Sequence, residues 1–240
     1  MYKYETHCHT NEASKCARWC AADCIKHYKK LGYDGVFITD HFFNGSNCID
    51  KELPWEEKVA QYVSGYEHAK EVGDEIGVDV FFGVEFNYGQ TEFLIYGIDR
   101  DFLLSHPDCD RMEMRAFLEL CRENGFFCVH AHPFRQRRYI KCLRLYPEVT
   151  DAVEVINSAH PGSPEEGWLF DDRAREYARS FGFPVTGASD CHYDAEPWMG
   201  GIYTEEKITC WQDYAELVKG FKVAPFRHPN PFIPKQEEQA

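Results

Sequence analysis

The chain is short of positive charge and has no long hydrophobic run. Its 240 residues carry 26 Lys and Arg against 40 Asp and Glu, a formal charge of −14. A protein that holds nucleic acid mainly by phosphate contacts needs a basic face, and this balance argues against one. It leaves room for an anionic substrate neutralised by bound divalent ions, which reverse the local field. No stretch approaches the roughly 18 apolar residues of a membrane span. Residues 1–10 are polar and His-rich, with no hydrophobic signal-peptide region. The expectation is a soluble, cytoplasmic protein with no membrane partner. Repeats and low-complexity linkers are lacking too. Eleven cysteines cannot all pair, and without a secretion signal they read as reduced thiols. What the chain does have is core material: 44% hydrophobic and 15% aromatic residues exclude wholesale disorder. The length suits one large α/β domain or two small ones.

Apolar, β-branched runs alternate with helical patterns. Strands are expected over residues 2–7, 35–39, 78–84, 92–98, 126–130, 152–156 and 184–188, with 200–204 a weaker eighth. Helices are expected over 14–31, 55–76, 110–124, 165–181 and 211–219. Gly32, Gly125 and Gly182 stand where a helix-ending glycine belongs. Alternation of this kind predicts βα units and a mainly parallel sheet. Seven or so units in 240 residues suit a barrel better than an open sheet. Residues 1–228 read as a single barrel domain, and 229–240, Pro-rich and then charged, as a loosely held tail.

The chemistry collects where the expected strands end. His7-Cys8-His9 follows the first, Asp40-His41 the second, Glu85 the third, His130 and His132 the fifth, and Asp190 and His192 the seventh. In a parallel α/β barrel the C-terminal strand ends open onto one face. Imidazoles and carboxylates without thiolates suit Zn, Mn or Fe. An extended His-x-His points both rings to one face, and Asp190-x-His192 repeats the geometry. There are more ligands than one ion can use, so two or three ions are implied, with Glu85 the natural bridge. Such sites ionise water at neutral pH and clamp both oxygens of an in-line displacement. One strand-end His alone reads as a structural residue; five such endings in order do not.

Around this set, Arg135 is placed to grip phosphate bidentately, and Arg137 and Arg138 read as solvated. Asp40 is suited to orient a ligand imidazole. Asn157 and His160 face the same mouth as substrate-binding candidates, while His130 reads as packed in its strand. Cys16, Cys20 and Cys24 recur every four residues, which reads as the buried stripe of a helix. Cys8 and Cys191 are expected to pack behind the site.

Together His7-x-His9, Ile38-Thr39-Asp40-His41, Gly83-Val84-Glu85, Ala131-His132-Pro133 and Ser189-Asp190-Cys191-His192 resemble the ordered motifs of the PHP (polymerase and histidinol phosphatase) superfamily. The resemblance covers about residues 2–205. It implies a distorted (β/α)7 barrel with the metal site at the C-terminal ends of the strands, and hydrolysis of phosphoesters. It implies that His7, His9, Glu85 and Asp190 gather one ion, that Glu85 and His132 help hold a second, and that His41 and His192 hold a third. Two positions depart from the pattern. Many members have His where Glu92 stands, just before the fourth strand, and Asp or His where Lys15 stands, six residues beyond the second His. Glu12 is the nearest replacement for the latter. Glu92 is expected either to ligate or to pair with Arg100 or Lys15 or face solvent.

The resulting expectation is a metal-dependent phosphoesterase in which metal-bound hydroxide attacks a small phosphorylated metabolite. Asp190, His192 and Arg135 carry the catalysis, and the cofactors are two or three Zn, Mn or Fe ions. The competing readings are a metal-dependent hydrolase of a C–N or carboxyl-ester bond, and a non-catalytic metal- or phosphate-binding module.

Overall fold

The computed structural model describes residues 1–160 and 164–233. Nine strands form one sheet in the order β7-β6-β5-β4-β3-β2-β1-β8-β9. They are β1 (Tyr2–Cys8), β2 (Gly35–Ile38), β3 (Asp79–Tyr88), β4 (Thr91–Tyr96), β5 (Phe127–His130), β6 (Ala152–Asn157), β7 (Val185–Ala188), β8 (Trp198–Thr204) and β9 (Val223–Pro229). The helices are α1 (Ala21–Lys30), α2 (Trp55–Ile76), α3 (Arg100–Ser105), α4 (Met114–Glu123), α5 (Pro164–Phe181) and α6 (Trp211–Lys219). No helix among the described residues is long and apolar enough to cross a membrane.

The sheet nearly closes into a barrel, as expected. β8 pairs only with the first half of β1, over Tyr2, Lys3 and Tyr4. That leaves the other half free to meet the β7 flank. There Thr6 Oγ1 donates to Gly187 O at 3.0 Å, Asp190 N donates to His7 O at 3.0 Å, and Cys8 and Cys191 form a parallel bridge. Strands β1 to β7 thus surround a common interior, and the ends of β1 and β7 lie side by side. Glycine permits the tight crossing: a Cβ at Gly200 would sit 2.2 Å from the Ala188 carbonyl oxygen.

The expectation of a mainly parallel sheet is corrected. The pairs β1–β2, β2–β3, β5–β6 and β6–β7 are parallel, but β3–β4, β4–β5, β1–β8 and β8–β9 are antiparallel. No helix separates β3 from β4. The two are joined by Gly89 and Gln90, with φ of 59° and 72°, the positive angles that a two-residue type I′ hairpin demands. The turn reverses β4, so its first residues, not its last, lie at the end where β3 finishes.

Three other elements differ from expectation. The helix expected over 14–31 begins only at Ala21, because Ser14–Arg18 is committed to tertiary bonds: Lys15 N to Ser46 O, and Arg18 N to His192 O. Cys16 is therefore not part of a buried helical stripe; it is exposed on a loop, while Cys24 stays in the core with Sγ 3.3 Å from that of Cys8. α3 is a short helix whose Asp99 cap accepts from Phe102 N at 2.8 Å. β9 carries Pro225 and Pro229, residues tolerated in a sheet mainly at its edge, where β9 lies. Pro229 thus belongs to a strand, and Asn230 is buried, its amide bonded to Asp194 O and Glu196 O. The rest of the expected tail, 234–240, lies outside the described residues.

An aromatic cluster supports the β1 end. Phe37, Tyr96, Phe127 and Tyr214 pack with ring centroids 4.9–5.6 Å apart. The Tyr96 hydroxyl donates to Thr6 O at 2.6 Å, directly before His7. Such rings prefer edge-to-face contacts that fix orientation, so β1 enters the site on a rigid base.

Candidate metal centre

At the end where the strands converge, His7, His9, His41, Glu85, Glu92, His132, Asp190 and His192 form one cluster. Its ligand atoms fall into four overlapping groups: His9–His41–His192, His7–Glu85–His132, His7–His9–Asp190 and His41–Glu85–Glu92, each with its atoms within 4.8 Å of one another. His7 and His9 leave the extended end of β1 with their Nε2 atoms 3.1 Å apart. Glu85 Oε1 lies 3.2 Å from His7 Nε2 and 3.2 Å from His132 Nε2, while its Oε2 lies 2.6 Å from His41 Nδ1. Asp190 Oδ1 lies 3.1 Å from His9 Nε2. The His9 ring stacks between those of His41 and His192, each at 4.4 Å.

The backbone is bent to bring these groups inward. His132 and Asp190 have positive φ, 28° and 57°. Residues held there cost on the order of 1–3 kcal/mol each and collect at functional sites. Both follow strand ends, where the chain turns off the sheet.

The ligand rings are oriented from behind. His7 Nδ1 meets Glu154 Oε1 at 3.0 Å, and Glu154 Oε2 also accepts from His132 N and Asn157 Nδ2. His9 Nδ1 meets Ser14 Oγ at 3.1 Å; Ser14 in turn donates to Asp40 and accepts from His41 N. Asp40 thus orients an imidazole, as expected, but through Ser14. Carboxylate and hydroxyl partners of this kind fix the tautomer and raise ligand basicity.

Sequence reasoning missed Glu154, Ser14 and Glu5. Glu154 had a signal: it is the one acid in Ala152–Asn157, a strand buried on both faces, and a buried carboxylate needs a partner. Glu5 shows the same sign, accepting from His7 N, Ser189 N and Tyr28 Oη.

The expected candidates divide as follows. Glu92 is in the cluster, 3.5 Å from His132 Nε2 and held by Asn87 Nδ2 at 2.8 Å. Among the ion pairs of the described residues, Arg100 goes to Glu67 instead. Glu12 is not in the cluster; both its oxygens accept from Ala21 N at 3.0 and 3.1 Å, capping α1. Arg135 pairs with Asp190 Oδ2 and with Asn157 Oδ1, so the Asp190 carboxylate is divided between the imidazoles and a guanidinium. Asn157 is fully buried and spends its amide on Glu154, Asp190 and Arg135, so it braces the site rather than facing substrate. His160 lies 3.2 Å from Asp171, which also pairs with Arg227, and so is drawn toward α5. His130 stacks on Phe93 at 4.3 Å, packed in its strand as expected, and burial with the nearby His132 pushes it down to about 3.

The electrostatics suit cations. Burial opposes charge throughout, yet Asp190, Glu85 and Glu154 hold His7 well above its ordinary range. Asp190 is held well below its own range by Arg135 and His7. His9 goes the other way, lowered by burial and by His41 and His192. At the rim, partial enclosure pushes the Cys16 thiol up, but hydrogen bonds and charge from His192 and His41 win and bring it down to about 6.

The residues fit divalent ions. Glu85 Oε2 and His41 Nδ1 are buried, face each other and make no hydrogen bond. A buried carboxylate and imidazole that face each other outside hydrogen-bond geometry satisfy one another poorly, and a shared cation satisfies both. The donor set of imidazole and carboxylate is that of Zn, Mn or Fe.

A family model described as PHP-associated matches residues 170–208, the stretch that holds Asp190 and His192. The fold is shared with solved structures at low identity. A two-domain protein from Bacteroides vulgatus containing a predicted PHP-like metal-dependent phosphoesterase superposes with a TM-score of 0.65 at 16% identity, over 94% of this chain and 64% of that one. The chain has the fold of the PHP superfamily. It spans just under two thirds of that Bacteroides protein. PsfC from Pseudomonas syringae superposes with a TM-score of 0.60 at 16% identity, over 94% and 91% of the two chains. A candidate metal-dependent phosphoesterase from Bifidobacterium adolescentis does so at 0.52 and 17%, over 92% and 96%. No curated protein matches the sequence.

Proposed function

We propose that the protein is a metal-dependent phosphoesterase acting on a small phosphorylated molecule. The observation that carries this reading is Arg135, a guanidinium set against Asp190 at the edge of a cluster that fits divalent ions. Bound ions would supply Lewis acidity and lower the pKa of water. His7, His9, Glu85 and Asp190 would hold one, His132 and Glu92 with Glu85 a second, and His41 and His192 a third.

The chain's own groups do the rest. The Arg135 Nε is buried and makes no hydrogen bond within the protein, so the guanidinium is not fully spent on Asp190 and Asn157. A guanidinium beside the ions matches the fork of phosphate oxygens. Arg137 stands exposed nearby and extends the positive rim. His192, at the mouth, has Nδ1 2.8 Å from Asp190 O, which orients its ring toward the ions and substrate.

The test is turnover of 4-nitrophenyl phosphate against 4-nitrophenyl acetate, before and after chelation, with His9→Ala as control. Phosphate-ester turnover that disappears on chelation and in the variant supports the reading. Turnover of the acetate alone points to an acyl hydrolase, and absence of both points to a binding module.

A further inference from the structure

We infer that Arg227, on the last strand, is a positioning residue of the site: with Asp171 it fixes Asn157, and through Asn157 the guanidinium of Arg135. The inference rests on the phosphoesterase reading and adds two residues that lie outside all four ligand groups.

The side chains of Arg135, Asn157 and Asp190 close a triangle. Arg135 Nη2 donates to Asp190 Oδ2 and, at 3.2 Å, to Asn157 Oδ1. Asn157 Nδ2 donates to Asp190 Oδ2 at 3.1 Å and to Glu154 Oε2 at 3.0 Å. Asn157 therefore meets the two charged partners with separate atoms, its oxygen on the guanidinium and its nitrogen on the carboxylate. Where Asn157 sits decides where the guanidinium sits.

The backbone of Asn157 is held from outside the triangle. Its N–H donates to Asp171 Oδ1 at 3.2 Å, and its carbonyl accepts from Arg227 Nη2 at 2.8 Å. The same Arg227 nitrogen reaches Asp171 Oδ2 at 2.5 Å. An ion pair between α5 and β9 thus closes over both backbone groups of one residue. Its side chains are only 12% and 5% exposed, for Arg227 and Asp171, so water screens it little. Arg227 stands opposite Gly200 in the β8–β9 ladder. A Cβ at Gly200 would meet Ser158 Oγ at 2.7 Å. The glycine lets β8 lie against the end of β6, which brings Arg227 within reach of Asn157.

The consequence is chemical. Bidentate grip of a phosphate needs the guanidinium in one plane. A displacement of about 1 Å caused far from the reacting atoms can cost on the order of a hundredfold in rate. Arg227 touches neither substrate nor ions; it acts by holding Asn157 still.

A double-mutant cycle on the metal-loaded full chain, with 4-nitrophenyl phosphate as substrate, tests this. Arg227→Lys keeps a charge beside Asp171 but shortens the reach to the Asn157 carbonyl. It should raise KM about tenfold with metal content unchanged, the size of one lost bond to a charged group. In an Arg135→Ala background the same change should cost no more than about twofold, because residues that act through one another do not add. Arg227→Met combined with Asp171→Asn removes both charges of the pair, so no buried charge is stranded. It should raise KM at least as much, and be equally silent without Arg135. An unchanged KM in both variants overturns the inference. So does a loss of equal size with and without Arg135, or one that follows lost metal. A wild-type chain that binds ions and leaves the ester intact overturns the phosphoesterase reading itself, and this inference with it.

Discussion

Glu85 Oε2 stands 2.6 Å from His41 Nδ1, and neither atom makes a hydrogen bond. On its other side, Glu85 Oε1 faces His7 and His132, each at 3.2 Å. One carboxylate therefore turns its two oxygens toward two separate sets of imidazoles. That is the geometry of a bridge between ions, and it places Glu85 at the centre of the site.

Arg135→Ala should lower kcat/KM for a phosphorylated substrate by about ten- to a hundredfold. A charge-assisted hydrogen bond is worth about 1.5–3 kcal/mol. Metal content should stay near wild type, because Asp190 keeps its contacts to His9 and Asn157. Steady-state kinetics with elemental analysis checks both, and an unchanged kcat/KM would remove Arg135 from the substrate's path.

Glu154→Gln should weaken metal binding by about ten- to a hundredfold, the usual consequence of changing the partner behind a ligand His. The Glu154 carboxylate holds the His7 ring and the His132 backbone at once. Competition with a chromophoric chelator measures the affinity. Equal affinity in the variant would show that the carboxylate's charge does not matter to His7.

Much of this site could be read from residue order, because strands place side chains on alternate faces and the paired motifs sit at their ends. Three features could not. Cys16, Cys20 and Cys24 have the spacing of a helix face, but tertiary bonds at Ser14 and Arg18 override it. β9 contains two prolines and reads as loop; only its place at the sheet edge makes them tolerable. The reversal of β4 depends on two positive φ angles at Gly89 and Gln90, one of them in a residue with no strong turn preference. That reversal is what carries Glu92 into the cluster.

Glu92→Gln should reduce metal occupancy by weakening the position shared with His132, and Glu92→His should restore it with a shift from manganese toward zinc. The carboxylate oxygen lies 3.5 Å from His132 Nε2, within reach of a common ion. Exchanging imidazole for carboxylate softens the donor set. Metal content after loading with equimolar zinc and manganese reads the preference; identical ratios in all three proteins would show that Glu92 holds no ion.

Glu5 makes the metal-free protein sensitive to pH. Burial raises its carboxyl from the ordinary 4.5 to about 7, against opposing hydrogen bonds from Ser189, His7 and Tyr28. The folded chain then holds this proton more tightly than the unfolded chain, so stability is lost as pH rises through that window. Glu5→Gln removes the titration. The stability difference, variant minus wild type, should therefore grow by about 2 kcal/mol from pH 5 to pH 8. Urea denaturation of both chelated proteins at the two pH values gives it, and a difference that stays constant would contradict the assignment.

The most direct test of the whole account is elemental analysis of the purified chain after dialysis, alongside hydrolysis of 4-nitrophenyl phosphate by the same sample. The account predicts two or three divalent ions per chain, as the overlapping ligand groups around Glu85 allow. It also predicts activity that falls with the ions on chelation and returns with them. Less than one ion per chain, or phosphatase activity indifferent to its removal, would contradict it.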